Sequence, residues 1–152
     1  KSNKYLKINK LSYTKINIRK INDLPLFIGT CYVENGFLEE DVYLILLKKI
    51  IEKEGKLAYY PHPRENQFKL KNIPKLEIIS PNEGIDEYII TRKFLPKKII
   101  GLYSSTYELL LNSINSIYEK LFFIDIRKLS YHEKINDFEY NYLKANFQEY
   151  KI

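Results

Sequence analysis

The sequence has 152 residues, 45% of them hydrophobic and 29% charged, with a net charge of +6, two His and a single Cys. That length and apolar content fit one folded domain with a core of its own and exclude a disordered tail. Cys31 alone excludes an internal disulfide framework, the isolated histidines make no zinc-ligand cluster, and no stretch approaches the roughly 18 apolar residues of a membrane span.

Lys1, Lys4, Lys7, Lys10, Lys15, Arg19 and Lys20 crowd the start of the chain with no acidic residue among them. Such a segment suits a polyanion or an anionic membrane face. Lys, Asn, Ile and Tyr are over-used along the whole chain, however, and no nucleic-acid module accompanies the charge, so compositional bias is the preferred account and no nucleic-acid partner is expected. The chain begins at Lys1 rather than Met, as a processed or excised piece of a longer protein would. Residues 1–23 alternate loosely, with Ile16, Ile18 and Ile21 among polar neighbours, and read as a basic linker or edge strand. Residues 24–152 read as the folded domain.

Leu24 to Val33 is an apolar run closed by Glu34-Asn35-Gly36, which predicts a buried first strand and a turn. Glu39 to Glu54 is the clearest helix, because Tyr43, Leu46, Leu47, Ile50 and Ile51 share one face, acidic residues open it, lysines close it and Gly55 can cap it. A strand ending at Tyr60 follows. A short helix is expected over 64–72, a third strand over 75–80 between Pro74 and Pro81, and a helix over 84–94 ended by Pro96. A fourth strand spans 98–103, and Ser104 or Ser105 caps the helix that carries Leu109, Leu110 and Leu111. A fifth strand at 121–126 and a last helix over 137–150 complete the chain. Strands alternating with helices predict an α/β fold, a Rossmann-like doubly wound parallel sheet whose ligand lies beyond the carboxyl ends of the strands where their order reverses.

Two strand ends carry groups suited to an anion. Pro61 and Pro63 restrict the backbone around His62, whose imidazole can donate to a phosphate oxygen or protonate a leaving group near neutral pH. A solvent-facing histidine between two turn prolines is the plainer account. Ser104, Ser105 and Thr106 follow a buried strand and open a helix, so hydroxyls, backbone N–H groups and the helix dipole can meet one phosphate; an ordinary N-cap needs only one of the three. Glu87, in the first turn of its helix, can accept from both hydroxyls of a ribose or simply complement the dipole beside Asp86. Gly29 and Thr30, where the first strand gives way to its loop, allow close approach of a donor ligand or merely of a neighbouring element. Tyr59, Tyr60 and Tyr103 are expected to pack in the sheet. No dinucleotide fingerprint, Walker loop or nucleophile elbow is present, which leaves nucleotide-sugar chemistry, where a protein chiefly binds and neutralises a leaving phosphate.

The ordered set Leu26-Phe27-Ile28-Gly29-Thr30, Glu34-Asn35-Gly36, Tyr60-Pro61-His62-Pro63-Arg64-Glu65, Ile85-Asp86-Glu87-Tyr88 and Gly101-Leu102-Tyr103-Ser104-Ser105-Thr106 resembles the C-terminal half of the bacterial lipooligosaccharide sialyltransferase family, which is related to bacterial polysialyltransferases. The likeness covers roughly residues 24 to 130. It implies the C-terminal half of a GT-B glycosyltransferase, whose Rossmann-like domain holds CMP-sialic acid as donor substrate without a metal or other cofactor. On that resemblance His62 is the catalytic residue and contacts the CMP phosphate with Pro63, Ser104, Ser105 and Thr106. Glu87 binds the ribose, with Glu83 as a close competitor. The family's catalytic base lies in an acidic motif of an N-terminal acceptor domain that this chain does not contain, and Glu34 is not assigned that role because its motif follows the first donor-domain strand.

The resemblance thus implies a fragment inactive by itself, whose partners are a nucleotide-sugar donor, a glycan acceptor of lipooligosaccharide or capsule, and the N-terminal domain of the same enzyme. With no signal-peptide pattern in the sequence, the expected location is the bacterial cytoplasm or the periphery of the inner membrane. Two other readings stay open: another nucleotide-sugar glycosyltransferase domain using a UDP-sugar, or a non-catalytic Rossmann-like interaction module.

Overall fold

The computed structural model describes residues 15–80, 82–129 and 137–152. Lys1, Lys4, Lys7 and Lys10 of the basic run, and Pro81, lie outside the described residues. The elements are β1 (Ile21–Asn22), β2 (Leu26–Ile28), α1 (Glu40–Glu54), β3 (Leu57–Tyr60), β4 (Leu76–Ile78), α2 (Ile85–Arg92), β5 (Leu95–Pro96), β6 (Ile99–Gly101), α3 (Thr106–Ser113), β7 (Leu121–Phe123), α4 (Asp137–Asn146) and β8 (Gln148–Glu149), with short 3-10 turns at Gln67–Leu70, Tyr118–Lys120 and Ile126–Lys128.

Six strands form one parallel sheet in the order β4-β3-β2-β6-β7-β8. Read by chain position this is the 3-2-1-4-5-6 order of a Rossmann-like sheet, and it reverses between β2 and β6. Right-handed crossovers then place α1 and the Gln67–Leu70 turn on one face and α2, α3 and α4 on the other. The contacts agree: α1 packs on the 3-10 turn and α2 on α3, while Tyr142 of α4 bonds to Glu108 of α3. β1 and β5 pair in parallel as a separate ribbon, and Ile16 bridges Ile114, so residues 16–22 are tied to the domain.

The core follows from strand alternation. Successive side chains point to opposite faces, so Phe27 and Tyr59 stack at 5.5 Å and meet Tyr43 of α1, whereas Tyr60 faces Tyr88 of α2. The predicted apolar face of α1 is buried, and Gly55, at a φ of 85°, closes the helix with its N–H on the Ile51 carbonyl. That backbone conformation suits glycine.

The largest departure from the sequence-based expectation lies at the C-terminus. The last helix stops at Asn146, and Gln148–Glu149 adds a sixth strand beside β7. Two polar residues carry no strand pattern of their own; ladder pairing with Phe122 and Phe123 creates the strand, and a short charged edge discourages further pairing. β2 is shorter than the apolar run because residues 31–37 fold back, with Asn35 N–H on the Cys31 carbonyl and Phe37 N–H on the Tyr32 carbonyl. The helix expected over 64–72 is a 3-10 turn, its N-terminus capped by the Asn66 side chain. No helix among the described residues is long and apolar enough to cross a membrane.

Gly101 shows how tightly the second half is packed: a Cβ there would lie 3.1 Å from the Tyr107 hydroxyl and 3.3 Å from Ile28 Cβ. Tyr107 cannot readily retreat, because its hydroxyl donates to the Phe122 carbonyl at 2.7 Å. Gly101→Ala is expected to destabilise the fold by about 1–3 kcal/mol through overpacking, read as a lower urea midpoint at unchanged slope.

Candidate functional site

The site begins where β3 ends. Beyond Tyr60 the buried Pro61 leads into a turn in which the Glu65 N–H donates to the His62 carbonyl at 2.9 Å. Pro63 occupies the second position of that turn, where its fixed φ is favourable. The Arg64 N–H donates to His62 Nδ1 at 3.1 Å. An Nδ1 that accepts leaves the proton of the neutral ring on Nε2, so the imidazole is set as a donor through Nε2.

His62 lines a cleft of about 630 Å³ at the carboxyl edge of the sheet, together with Pro63, Tyr60, Glu83, Ile85 and Thr106 among others. Its walls come from the end of β3, the loop between β4 and α2, and the start of α3. The structure therefore brings His62 and Pro63 to the same cavity as Thr106, the first residue of α3. Ser104 and Ser105 are adjacent in the chain but are not among the lining residues. The Ser104 hydroxyl accepts from the Thr106 N–H at 3.2 Å and acts as a local cap, and Ser105 is exposed.

Of the two carboxylates considered for a ribose, Glu83 lines the cleft. It is held there by the Tyr60 hydroxyl on its carbonyl and by Arg92 on its carboxylate at 2.5 Å, and Arg92 in turn lies 3.8 Å over the Tyr88 ring. Glu87 is exposed on α2 outside that lining, its carbonyl accepting from the Thr91 hydroxyl at 2.8 Å.

Beneath the His62 turn, on the α1 side of the sheet, lies a polar chain that the sequence pattern alone does not single out. The Glu65 side chain is 0% exposed; it accepts from the Tyr59 hydroxyl at 2.5 Å and pairs with Lys69 at 3.0 Å. The Tyr43 hydroxyl meets that of Tyr59 at 2.5 Å, and Lys69 reaches Glu34 at 2.5 Å. Burial, with the nearby carboxylate, pushes Tyr43 and Tyr59 far above the ordinary tyrosine range, so both stay neutral. For Glu34, desolvation acts upward, but the Lys69 ammonium and backbone donors outweigh it and leave the carboxyl below its ordinary 4.5.

This chain also accounts for Gly29. A Cβ at that position would lie 2.5 Å from Glu65 Oε2 and 2.9 Å from Tyr59, so the missing side chain makes room for a buried carboxylate. Thr30 is buried beside it, and neither residue lines the cleft. One signal for the network was present in the sequence: Glu65 and Lys69 stand four apart, the spacing of a facing pair. Tyr43 and Tyr59 gave none, since a core tyrosine and a hydrogen-bonded tyrosine have the same pattern. Among the described residues no group of three or more His, Cys, Asp or Glu side chains is placed to hold a metal ion.

No protein-family model and no curated protein matches the chain.

Two outcomes follow from the buried charges. Lys69→Met leaves two carboxylates without their cation and is expected to destabilise the fold by about 3–5 kcal/mol in urea titrations. Because the folded pKa of Glu34 lies below its unfolded 4.5, its contribution to stability is present above that pH and drains away as the pH falls through the folded value. Glu34→Gln should therefore flatten the acid limb of the stability profile, measured as the urea midpoint between pH 3 and about 6.

Proposed function

We propose that this chain is the donor-binding domain of a sialyltransferase that transfers sialic acid from CMP-sialic acid to a glycan acceptor of lipooligosaccharide or capsule. The observation that carries the reading is the single cleft lined by His62, Pro63 and Thr106, at the carboxyl edge of a parallel sheet with Rossmann-like order. The resemblance of the Tyr60–Glu65 and Gly101–Thr106 segments to that enzyme family supplies the substrate class.

In this reading the acceptor hydroxyl attacks the anomeric carbon and gives its proton to a base outside these residues. The bond from that carbon to the phosphate oxygen breaks, and CMP leaves with the electron pair. The His62 Nε2–H donates to the oxygen on which charge develops, and the start of α3 meets the same phosphate through Thr106, the residue of the serine-threonine run that lines the cleft. Glu83 lines the cleft and Glu87 does not, so it takes precedence over Glu87 for the ribose contact. The domain by itself binds the donor and does not turn it over. The reaction calls on no metal or cofactor, and the donor half works with an acceptor half in the bacterial cytoplasm or at the inner membrane face.

Calorimetric titration with CMP is expected to show binding that His62→Ala weakens at least tenfold, consistent with about 1.5–3 kcal/mol for a hydrogen bond to a charged group. Glu83→Gln should weaken CMP while leaving inorganic phosphate unaffected, and Glu87→Gln should change neither. No binding at millimolar CMP would overturn the reading. Preference for UDP would redirect it to another nucleotide sugar, and salt-governed binding that survives loss of His62 would indicate a non-catalytic module.

A further inference from the structure

We infer that Glu65 is the positioning residue of this site: its buried carboxylate sets the His62 turn from below, so that the imidazole meets the cleft already oriented. The inference rests on the reading of His62 as an anion donor for its purpose, though not for its geometry.

The turn is closed by hydrogen bonds running in opposite directions between the same two residues. The Glu65 N–H donates to the His62 carbonyl at 2.9 Å, and the His62 N–H donates back to Glu65 Oε2 at 3.2 Å. With the backbone of 62–65 fixed in this way, the Arg64 N–H is brought onto His62 Nδ1. The carboxylate that holds the turn has little freedom. Its other oxygen accepts from Tyr59 and pairs with Lys69, and Lys69, itself 3% exposed, is tied in turn to Glu34 and to the Asn66 carbonyl. On the remaining side the absent Cβ of Gly29 lets Oε2 reach its place. A buried carboxylate whose only task was its ion pair could be replaced, together with its cation, by apolar residues of similar volume at little cost. The bond to the His62 N–H gives this one a task that an apolar residue cannot perform, and a rigid supporting contact of this kind keeps a donor group in its working geometry.

The test uses the full chain labelled with ¹⁵N-histidine, with His132→Gln as background to assign the ring signals. Above neutral pH the Nδ1 resonance of His62 reports whether it accepts from the Arg64 N–H, and this is read without any ligand. Glu65→Met, which leaves Lys69 balanced by Glu34, should move that resonance to the position of an unbonded imidazole and weaken binding of inorganic phosphate at least tenfold. Glu65→Gln combined with Lys69→Met should restore both, because the single amide oxygen, no longer drawn to the Lys69 ammonium, accepts from the His62 N–H. Gly29→Ala, which displaces the carboxylate without changing its charge, should act as Glu65→Met does. A Glu65→Met protein that folds and keeps the wild-type Nδ1 resonance would overturn the inference. So would a His62 amide that, in the unaltered chain, exchanges with solvent as fast as an open loop. Should CMP fail to bind while the resonance behaves as described, the functional reading falls and the positioning role of Glu65 stands.

Discussion

A carboxylate with no access to water is expensive unless every lone pair finds a donor, and that requirement organises the first half of this molecule. Glu65 meets it by drawing in Tyr59 from β3, Lys69 from the turn that follows and the backbone of His62. Each partner is then committed. Tyr59 must point toward α1, which sends Tyr60 to the opposite face, where its hydroxyl fixes the loop carrying Glu83. Position 29 must lack a side chain, and α1 must present Tyr43 to the other end of the hydrogen-bonded chain. A polar cluster on one side of the sheet thereby shapes a cleft on the other, and the His62 turn is the link between them.

The second half contributes by packing rather than by charge. Gly101 and Ile28 sit side by side where the strand order reverses, and Tyr107 closes over them. Burial pushes the Tyr107 hydroxyl well above the ordinary range, so it acts only as a neutral donor to the Phe122 carbonyl. This anchors the first turn of α3 against β7 and so places Thr106 at the cleft wall. The walls thus have separate supports, one held by hydrogen-bonded charge and one by aromatic volume.

Most of this fold was readable because burial on both faces writes a parallel strand as a continuous apolar run, as in Leu57-Ala58-Tyr59-Tyr60 and Ile99-Ile100, and because α1 carries its stripe, charges and glycine stop together. What escaped was structure created only by tertiary contact. Gln148–Glu149 has no local preference for a strand and becomes one by pairing with β7. In the site, His62, Pro63 and Thr106 drew attention because they stand where strands end, although prolines and hydroxyls there also serve ordinary turns and caps; it is their shared cleft that sets them apart. Glu65 was written in the same segment, yet its role depends on which face of the sheet it falls beneath, and no spacing rule encodes that. Ser104 and Ser105 show the converse. Their hydroxyls looked equivalent to that of Thr106 until the helix start used Ser104 for its own backbone.

The reversal of strand order also bears on how the molecule assembles. β2 lies between β3 and β6, one its near neighbour in sequence and the other separated from it by nearly half of the chain. Closing that long loop is entropically unfavourable before the contacts that reward it exist, so the β3 side, with its local turn and ion pairs, can take shape early while docking of β6 comes late. The cleft straddles that seam. A nascent chain would hold the His62 turn well before it owned a pocket, and recognition of any ligand would report completion of the fold.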